Sequence, residues 1–218
     1  MGEQGGAEMI IILDFGSGNT CKNDEDYAIR MIDELDEVVQ EKRATKPIIK
    51  WQLFEKAGGN IPLAHELFEV VYKYALRKGY QTTASVFDEA SLEFLLSYDV
   101  PFVKIANNKS LYPLIKKIPR GVPVVVSHGV HMDGIINLLL PDDRFMVCIS
   151  KYPTIIKEYE ESFSQQSLTS GISDHTTDWK LYKKYRPWIY ECHYKLEDSE
   201  GLDAGPFART PKQLKEIL

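Results

Sequence analysis

Short apolar runs rich in β-branched residues alternate along the chain with longer runs of helical period. The strand-like runs are 9–16 (MIIILDFG), 46–54 (KPIIKWQLF), 80–87 (YQTTASVF), 101–106 (PFVKIA), 123–129 (PVVVSHG), 144–152 (RFMVCISKY), 169–176 (TSGISDHT) and 188–196 (WIYECHYKL). Helices are expected between and after them, over 24–39, 63–78, 89–98, 111–117, 132–140, 155–163, 178–185 and 211–218. In the second helical run Leu63, Leu67, Val70, Val71, Tyr74 and Leu76 recur near helical spacing, and Gly79 stands where a glycine ends a helix. Eight such units, with no linker, low-complexity tract or charge block, predict an α/β fold: a single-domain (β/α)8 TIM barrel over 9–218 behind a flexible tail of 1–8. A doubly wound open sheet is the competing architecture, because periodicity does not report closure.

Composition narrows the partners. With 218 residues and 44% hydrophobic content, the chain is long enough for one large core. A net charge of -6 argues against sequence-independent nucleic-acid binding, which needs clustered Lys and Arg. A mean hydropathy of -0.27 and the absence of a long apolar run argue against a membrane span. The start MGEQGGAE has no basic region followed by an apolar one, and three scattered cysteines (Cys21, Cys148, Cys192) suit a reducing compartment. A cytoplasmic protein acting on small molecules is expected.

In a barrel of this kind the chemistry gathers at the C-terminal ends of the strands, so inward polar residues late in each strand matter most. Side chains alternate faces. Lys50 and Gln52 therefore share a face, as do Thr83 and Ser85; Lys104 shares one with Phe102 and Ala106; Ser127 lies near the end of the fifth strand. Ser150 pairs with Tyr152, Ser173 with His175, and Glu191 with His193. Two lysines flanked by apolar residues admit two readings, an anion cradle built with hydroxyls or a Schiff-base nucleophile. His175 and His193, on neighbouring strands beside Asp174 and Glu191, either share a divalent cation or are buried histidines bonded to backbone carbonyls. Asp14, followed by FGSGN, is either a catalytic or sugar-binding carboxylate or a turn former. His128 and His131 either face the site mouth or, the preferred reading, are ordinary loop residues; His65 reads as a surface or helix-packing residue, and Cys192 as core.

The segments KWQLF, LAHELFEVVYKYALRKGYQTTASVFDEASLEFL, PFVKIANNKSLYPLIKKI, PVVVSHG, CISKYP, SDHT and ECHYKL, in this order, resemble the sialic acid synthase (N-acetylneuraminate synthase) family. The resemblance spans most of the chain from the first strand onward. It implies a metal-dependent barrel condensing phosphoenolpyruvate with an N-acyl amino sugar, typically N-acetylmannosamine, or a related aldose, to give a 2-keto sugar acid and phosphate. On the matching positions Lys50, Ser85, Lys104, Ser127 and Ser173 hold phosphoenolpyruvate, with Ser150 where the family usually has asparagine. His175 and His193 match the ligands of a divalent metal, manganese or magnesium. Glu191 matches an acidic position beside the metal and is the candidate for proton transfer; with Asp14, Lys50 and Lys104 it makes up the expected catalytic set. Tyr152, Gln52, Asn107 and Asp203 are expected around the sugar.

Four departures qualify what the resemblance implies, the first being that GSGNTCKN stands where the family has a strand-one Asn-His pair, so its histidine is absent. Asp14 replaces the usual glutamate at the end of the first strand, and KIANNK replaces a pattern carrying a sugar-binding acid, leaving Asn107, Asn108 and Lys109 in that region. Family members also continue into an antifreeze-like domain, whereas this sequence stops at Leu218. Without that domain the usual reason to expect a dimer is gone, and the partners left open are a homo-oligomer or a separate antifreeze-like protein. The rival functions are a lysine Schiff-base aldolase and a ligand-binding or scaffold barrel.

Overall fold

The computed structural model describes residues 9–56, 58–129, 135–164 and 171–218. The tail of 1–8, residues 132–134 of the fifth expected helix, and His131 lie outside them. Eight strands form where expected: β1 (Ile10–Asp14), β2 (Ile48–Leu53), β3 (Thr82–Val86), β4 (Val103–Ile105), β5 (Val124–His128), β6 (Arg144–Cys148), β7 (Gly171–Asp174) and β8 (Ile189–His193). They run parallel in chain order, and β1 closes the ring on β8 from Ile10 against Ile189 to Asp14 against His193. The sheet is a closed barrel, which excludes the open doubly wound alternative.

The helices are α1 (Glu25–Lys42), α2 (His65–Arg77), α3 (Glu89–Leu95), α4 (Ile156–Ser164), α5 (Lys180–Tyr185) and α6 (Pro211–Leu214). Local chemistry sets their ends: Asp24 accepts the Tyr27 N–H at 2.8 Å and Asp88 that of Ser91 at 2.7 Å. Gly79 follows α2 at φ +80°, as its position in the sequence predicts. The helix expected at 111–117 is instead a 3₁₀ helix, Lys109–Lys117. Pro113 lies inside it and has no N–H to give to an α-helical ladder. From the fifth expected helix only a 3₁₀ turn, Ile136–Leu138, is described.

Alternation along the strands sorts the interior into layers. Inward-facing Ile12, Ile48, Phe102, Val125, Met146 and Ile189 form one apolar cluster that plugs the barrel. Two residues further along the same strands stand Asp14, Lys50, Lys104, Ser127, Cys148 and Glu191. One pleat therefore separates a hydrophobic floor from a polar chamber. Outward-facing Leu13, Trp51, Val126 and Cys192 join Met31 and Leu35 of α1 and Phe68 and Val71 of α2 in the larger core, so Cys192 is the packing residue expected. His65 stacks on Phe94 with ring centroids 3.7 Å apart, also as expected. His128, by contrast, is the last residue of β5 and fully buried, rather than a loop residue.

Asp36 of α1 ties the helix layer to the barrel's N-terminal side. It accepts from Gln40 at 2.7 Å, Tyr80 at 2.9 Å, and Lys46 and Lys78 at 3.3 Å each. Burial alone would raise its pKa, but the Tyr80 hydroxyl and the two ammonium groups outweigh burial and hold it below the ordinary aspartate value. A depressed carboxylate stabilises the fold above the unfolded-state pKa and loses that contribution as pH falls through the folded one. Asp36→Asn is therefore expected to lower unfolding stability by about 1–3 kcal/mol at pH 7. In denaturant titrations across pH, the difference from the parent chain should shrink below about pH 4.

Candidate active site

At the C-terminal end of the barrel a cavity of about 340 Å³ opens above the apolar plug. Of the residues expected from the sequence, Asp14, Lys50, Gln52, Ser85, Lys104, Asn107, Ser127, Tyr152, Ser173, His175, Glu191, His193 and Asp203 all line it. Most come from strands far apart in sequence because the closed barrel points their inward polar residues to a common axis; Asn107, Tyr152, His175 and Asp203 reach the cavity from segments that follow the strands.

The floor is a network of buried charges. Lys50 donates to Asp14 at 2.5 Å and to Ser85 at 2.9 Å, and lies 3.8 Å from Glu191. Lys104 donates to Ser127 at 2.6 Å and lies 3.4 Å from the other oxygen of Glu191, which also accepts from Ser173 at 2.8 Å. Each lysine is only 2% exposed. Burial opposes every one of these charges, and the neighbours decide the outcome. For Asp14, burial is outweighed by Lys50, His193 and the Gly16 N–H, so its carboxyl stays well below the carboxylate range. For Glu191, burial is outweighed by Lys104 and Lys50, so it too is held ionised. Lys50 is raised because Asp14 and Glu191 outweigh its burial, whereas Lys104 is lowered because burial outweighs Glu191 and Lys50 adds repulsion.

The histidines occupy the next level. Their ring centroids are 5.3 Å apart. Nδ1 of His175 lies 2.8 Å from the Ile149 carbonyl, so this nitrogen carries the proton and Nε2 keeps its lone pair. Burial and His193 push the His175 pKa down to about 4, and burial also lowers that of His193. Both rings are neutral, the form that ligates metal. Nδ1 of His193, the Glu191 oxygen facing Lys50 and Oδ2 of Asp203 are buried without a hydrogen-bond partner. Burial and the charge of Asp14 push Asp203 up to about 6. Two neutral imidazoles beside an uncompensated carboxylate are the donor chemistry a divalent cation satisfies. Among the described residues no three His, Cys, Asp or Glu side chains form a metal cluster. His175 and His193 thus fit a two-residue site completed by substrate or water.

One expected residue falls elsewhere. β6 ends at Cys148, four residues before the expected end, so Ser150 is exposed and outside the cavity, where it accepts from Asn107 at 3.0 Å. Cys148 takes the inward position, which alternation from Met146 identifies once the strand's end is known. Asn108 caps the 3₁₀ helix by accepting the Ser110 N–H at 3.0 Å. Asn60, Phe87, Ala106 and Leu202 also line the cavity; Asn60 and Leu202 come from connections that no strand period reaches.

The human N-acetylneuraminate-9-phosphate synthase is 30% identical over 135 residues, a segment that covers 54% of this chain and 37% of the human protein. The chain thus spans little more than a third of that relative. A sialic acid synthetase from Leptospira borgpetersenii superposes with a TM-score of 0.76 at 22% identity, over 96% of this chain and 81% of that one. A spore coat polysaccharide biosynthesis protein from Bacillus subtilis superposes with a TM-score of 0.73 at 21% identity, over 97% and 66%. At such identities these likenesses speak for the fold. The model of the NeuB family matches residues 34–217, which takes in seven of the eight strands and nearly all of the cavity's residues, and the chain belongs to the NeuB family.

Proposed function

We propose that the protein condenses phosphoenolpyruvate with an N-acyl amino sugar or related aldose, releasing phosphate and a 2-keto sugar acid. The observation that carries this reading is the pair of buried lysines at the cavity floor, each hydrogen-bonded to a serine hydroxyl. A small ligand with a carboxylate and a phosphate suits two ammonium groups that flank the same Glu191 carboxylate better than a neutral one does. Family membership supports the reading.

Lys50, Lys104, Ser85, Ser127 and Ser173 bind and orient phosphoenolpyruvate, excluding water from its lower face. C3 of the enol forms the new bond to the acceptor aldehyde carbon, water adds at C2, and the bond from C2 to the phosphate oxygen breaks. Glu191, held ionised between the lysines, accepts the proton that the water gives up. The aldehyde oxygen becomes a hydroxyl by taking a proton from solvent or from the acidic wall at Asp203. His175 and His193 would hold a divalent metal, manganese or magnesium, which supplies Lewis-acid polarisation of the aldehyde. Gln52, which donates to both Asp14 and Asp203, fixes the carboxylates facing the acceptor, and Tyr152 and Asn107 form its outer wall.

The partners are small molecules, with a homo-oligomer or a separate antifreeze-like protein covering the cavity mouth. Three buried free cysteines agree with a cytoplasmic setting. No helix among the described residues is long and apolar enough to cross a membrane.

Phosphate release from phosphoenolpyruvate with manganese and a panel of aldoses is expected to require an acceptor. It should fall at least about a hundredfold in His175→Ala, His193→Ala and Lys104→Met. Release without an acceptor, or undiminished in these variants, would refute the reading. The lowered pKa of Lys104 favours a second reading, a Schiff-base aldolase. Borohydride treatment with carbonyl substrates separates the two: condensation predicts no adduct, and a covalent adduct on Lys104 would establish the aldolase.

A further inference from the structure

His175 stands just outside the barrel's ladder. β7 pairs with β8 as far as Asp174 opposite Cys192, and His175 is the next residue, at the start of the connection to α5. Its backbone is held by α4 and the loop before it: its N–H donates to the Tyr159 hydroxyl at 3.1 Å, and its carbonyl accepts the Thr154 N–H at 3.0 Å. His193, by contrast, ends β8. No pairing of β7 with β8 therefore sets the two rings relative to each other, yet a shared cation asks for ligand distances fixed to about 0.2 Å.

One residue bridges the two segments. The Arg209 N–H donates to the His193 carbonyl at 2.7 Å, and the Arg209 carbonyl accepts from the Lys195 N–H at 3.0 Å. Its guanidinium reaches back to the connection after His175, where one terminal nitrogen donates to the carbonyls of Thr176 at 2.9 Å and Asp178 at 2.7 Å. Arg209 is the only arginine buried among the described residues, 1% exposed, and it does not line the cavity. The guanidinium lies 4.5 Å from the centroid of the Trp179 ring and 3.9 Å from Asp174. That carboxylate already accepts from the Tyr190 hydroxyl at 2.6 Å and the Thr176 N–H at 2.7 Å, and Nε of Arg209 has no hydrogen-bond partner. Burying a charge on these terms is costly, and an apolar side chain would anchor a loop with less desolvation. What the arginine supplies is a planar fork that bonds two carbonyls of one segment while its backbone bonds the other. On the same stretch, Phe207 sets its ring edge-on to both imidazoles, with centroids 6.0 Å from His175 and 4.9 Å from His193.

We propose that Arg209 is a positioning residue: it clamps the segment after His175 to the end of β8 and so holds the His175 and His193 rings at the separation from which they share one divalent cation. The cation belongs to the function proposed above, on which this consequence rests; the clamp is a property of the chain with or without metal. Groups that orient metal ligands without touching the metal alter affinity by about 10–100-fold when removed.

The test titrates manganese into the parent chain, Arg209→Met, Arg209→Lys and Asp36→Asn, following the free ion by electron paramagnetic resonance. Asp36→Asn weakens the barrel at its other end and so reports what lost stability does by itself. Arg209→Met is expected to bind manganese about 10–100-fold more weakly, while its affinity for phosphoenolpyruvate in EDTA, which depends on the lysine floor, stays unchanged. Arg209→Lys keeps the charge without the planar fork and should fall between the two; Asp36→Asn should match the parent. In metal-free protein, nuclear Overhauser contacts between the His175 and His193 rings should be lost in Arg209→Met and kept in Asp36→Asn. Undiminished manganese binding in Arg209→Met, ring contacts that persist in it, or an equal loss in Asp36→Asn would overturn the proposal. Should Arg209→Met not fold, Arg209→Lys decides: weaker manganese binding with unchanged phosphoenolpyruvate affinity supports the clamp, and parental manganese affinity overturns it. If the parent chain binds no manganese, the metal reading falls, and the ring contacts alone settle whether Arg209 positions the pair.

Discussion

Four charges buried at the centre of the barrel govern the rest of the structure. Lys50, Asp14, Lys104 and Glu191 are each at most 3% exposed. An unpaired ion at such a depth would cost several kcal/mol, so each must face a partner of opposite sign within a few ångströms. Closure of the sheet makes that pairing geometrically available. β1 lies between β2 and β8, with Asp14 opposite Lys50 on one side and His193 on the other. Glu191, across β8, reaches both lysines. The apolar plug beneath keeps water from entering from below, so the network is solvated only through the mouth.

Such a cluster contributes little to stability compared with a hydrophobic core of the same volume. Its use is preorganisation: cations, hydroxyls and a carboxylate stand in fixed positions before a substrate arrives. The asymmetry between Lys50 and Lys104 follows from the same geometry. Asp14 and Glu191 both face Lys50, which stays charged, while Lys104 shares only Glu191 and feels the repulsion of Lys50. Above the floor the chamber changes character, from ionic to imidazole to neutral wall. In the proposed reading this gradient separates an anion-binding end from an acceptor end.

Most of the barrel and its interior could be read from the sequence, because a period of two fixes faces and eight repeats fix the count. Lys50, Ser85, Lys104, Ser127, Ser173, Glu191 and both histidines reach the cavity for that reason. The method fails where a strand stops. Extending β6 to Tyr152 put Ser150 inside, whereas the strand ends at Cys148 and the chain turns outward. Tyr152 still lines the cavity, but from a loop, half-exposed and with its ring centroid 4.2 Å from that of His175. Asn60 and Leu202 carry no periodic signal at all, since connecting segments are positioned by tertiary contacts. Pro113 turned an apolar helical pattern into a 3₁₀ helix, an override legible in the residue itself.

The most direct measurement is a crystal structure with phosphoenolpyruvate and manganese bound, using the metal's anomalous scattering to locate it. A cradle at the floor predicts the phosphate and carboxylate within hydrogen-bond distance of Lys50 and Lys104, and the manganese peak between His175 and His193. Phosphoenolpyruvate bound away from both lysines, or manganese bound away from both histidines, would contradict the assignment of this chamber as the condensation site.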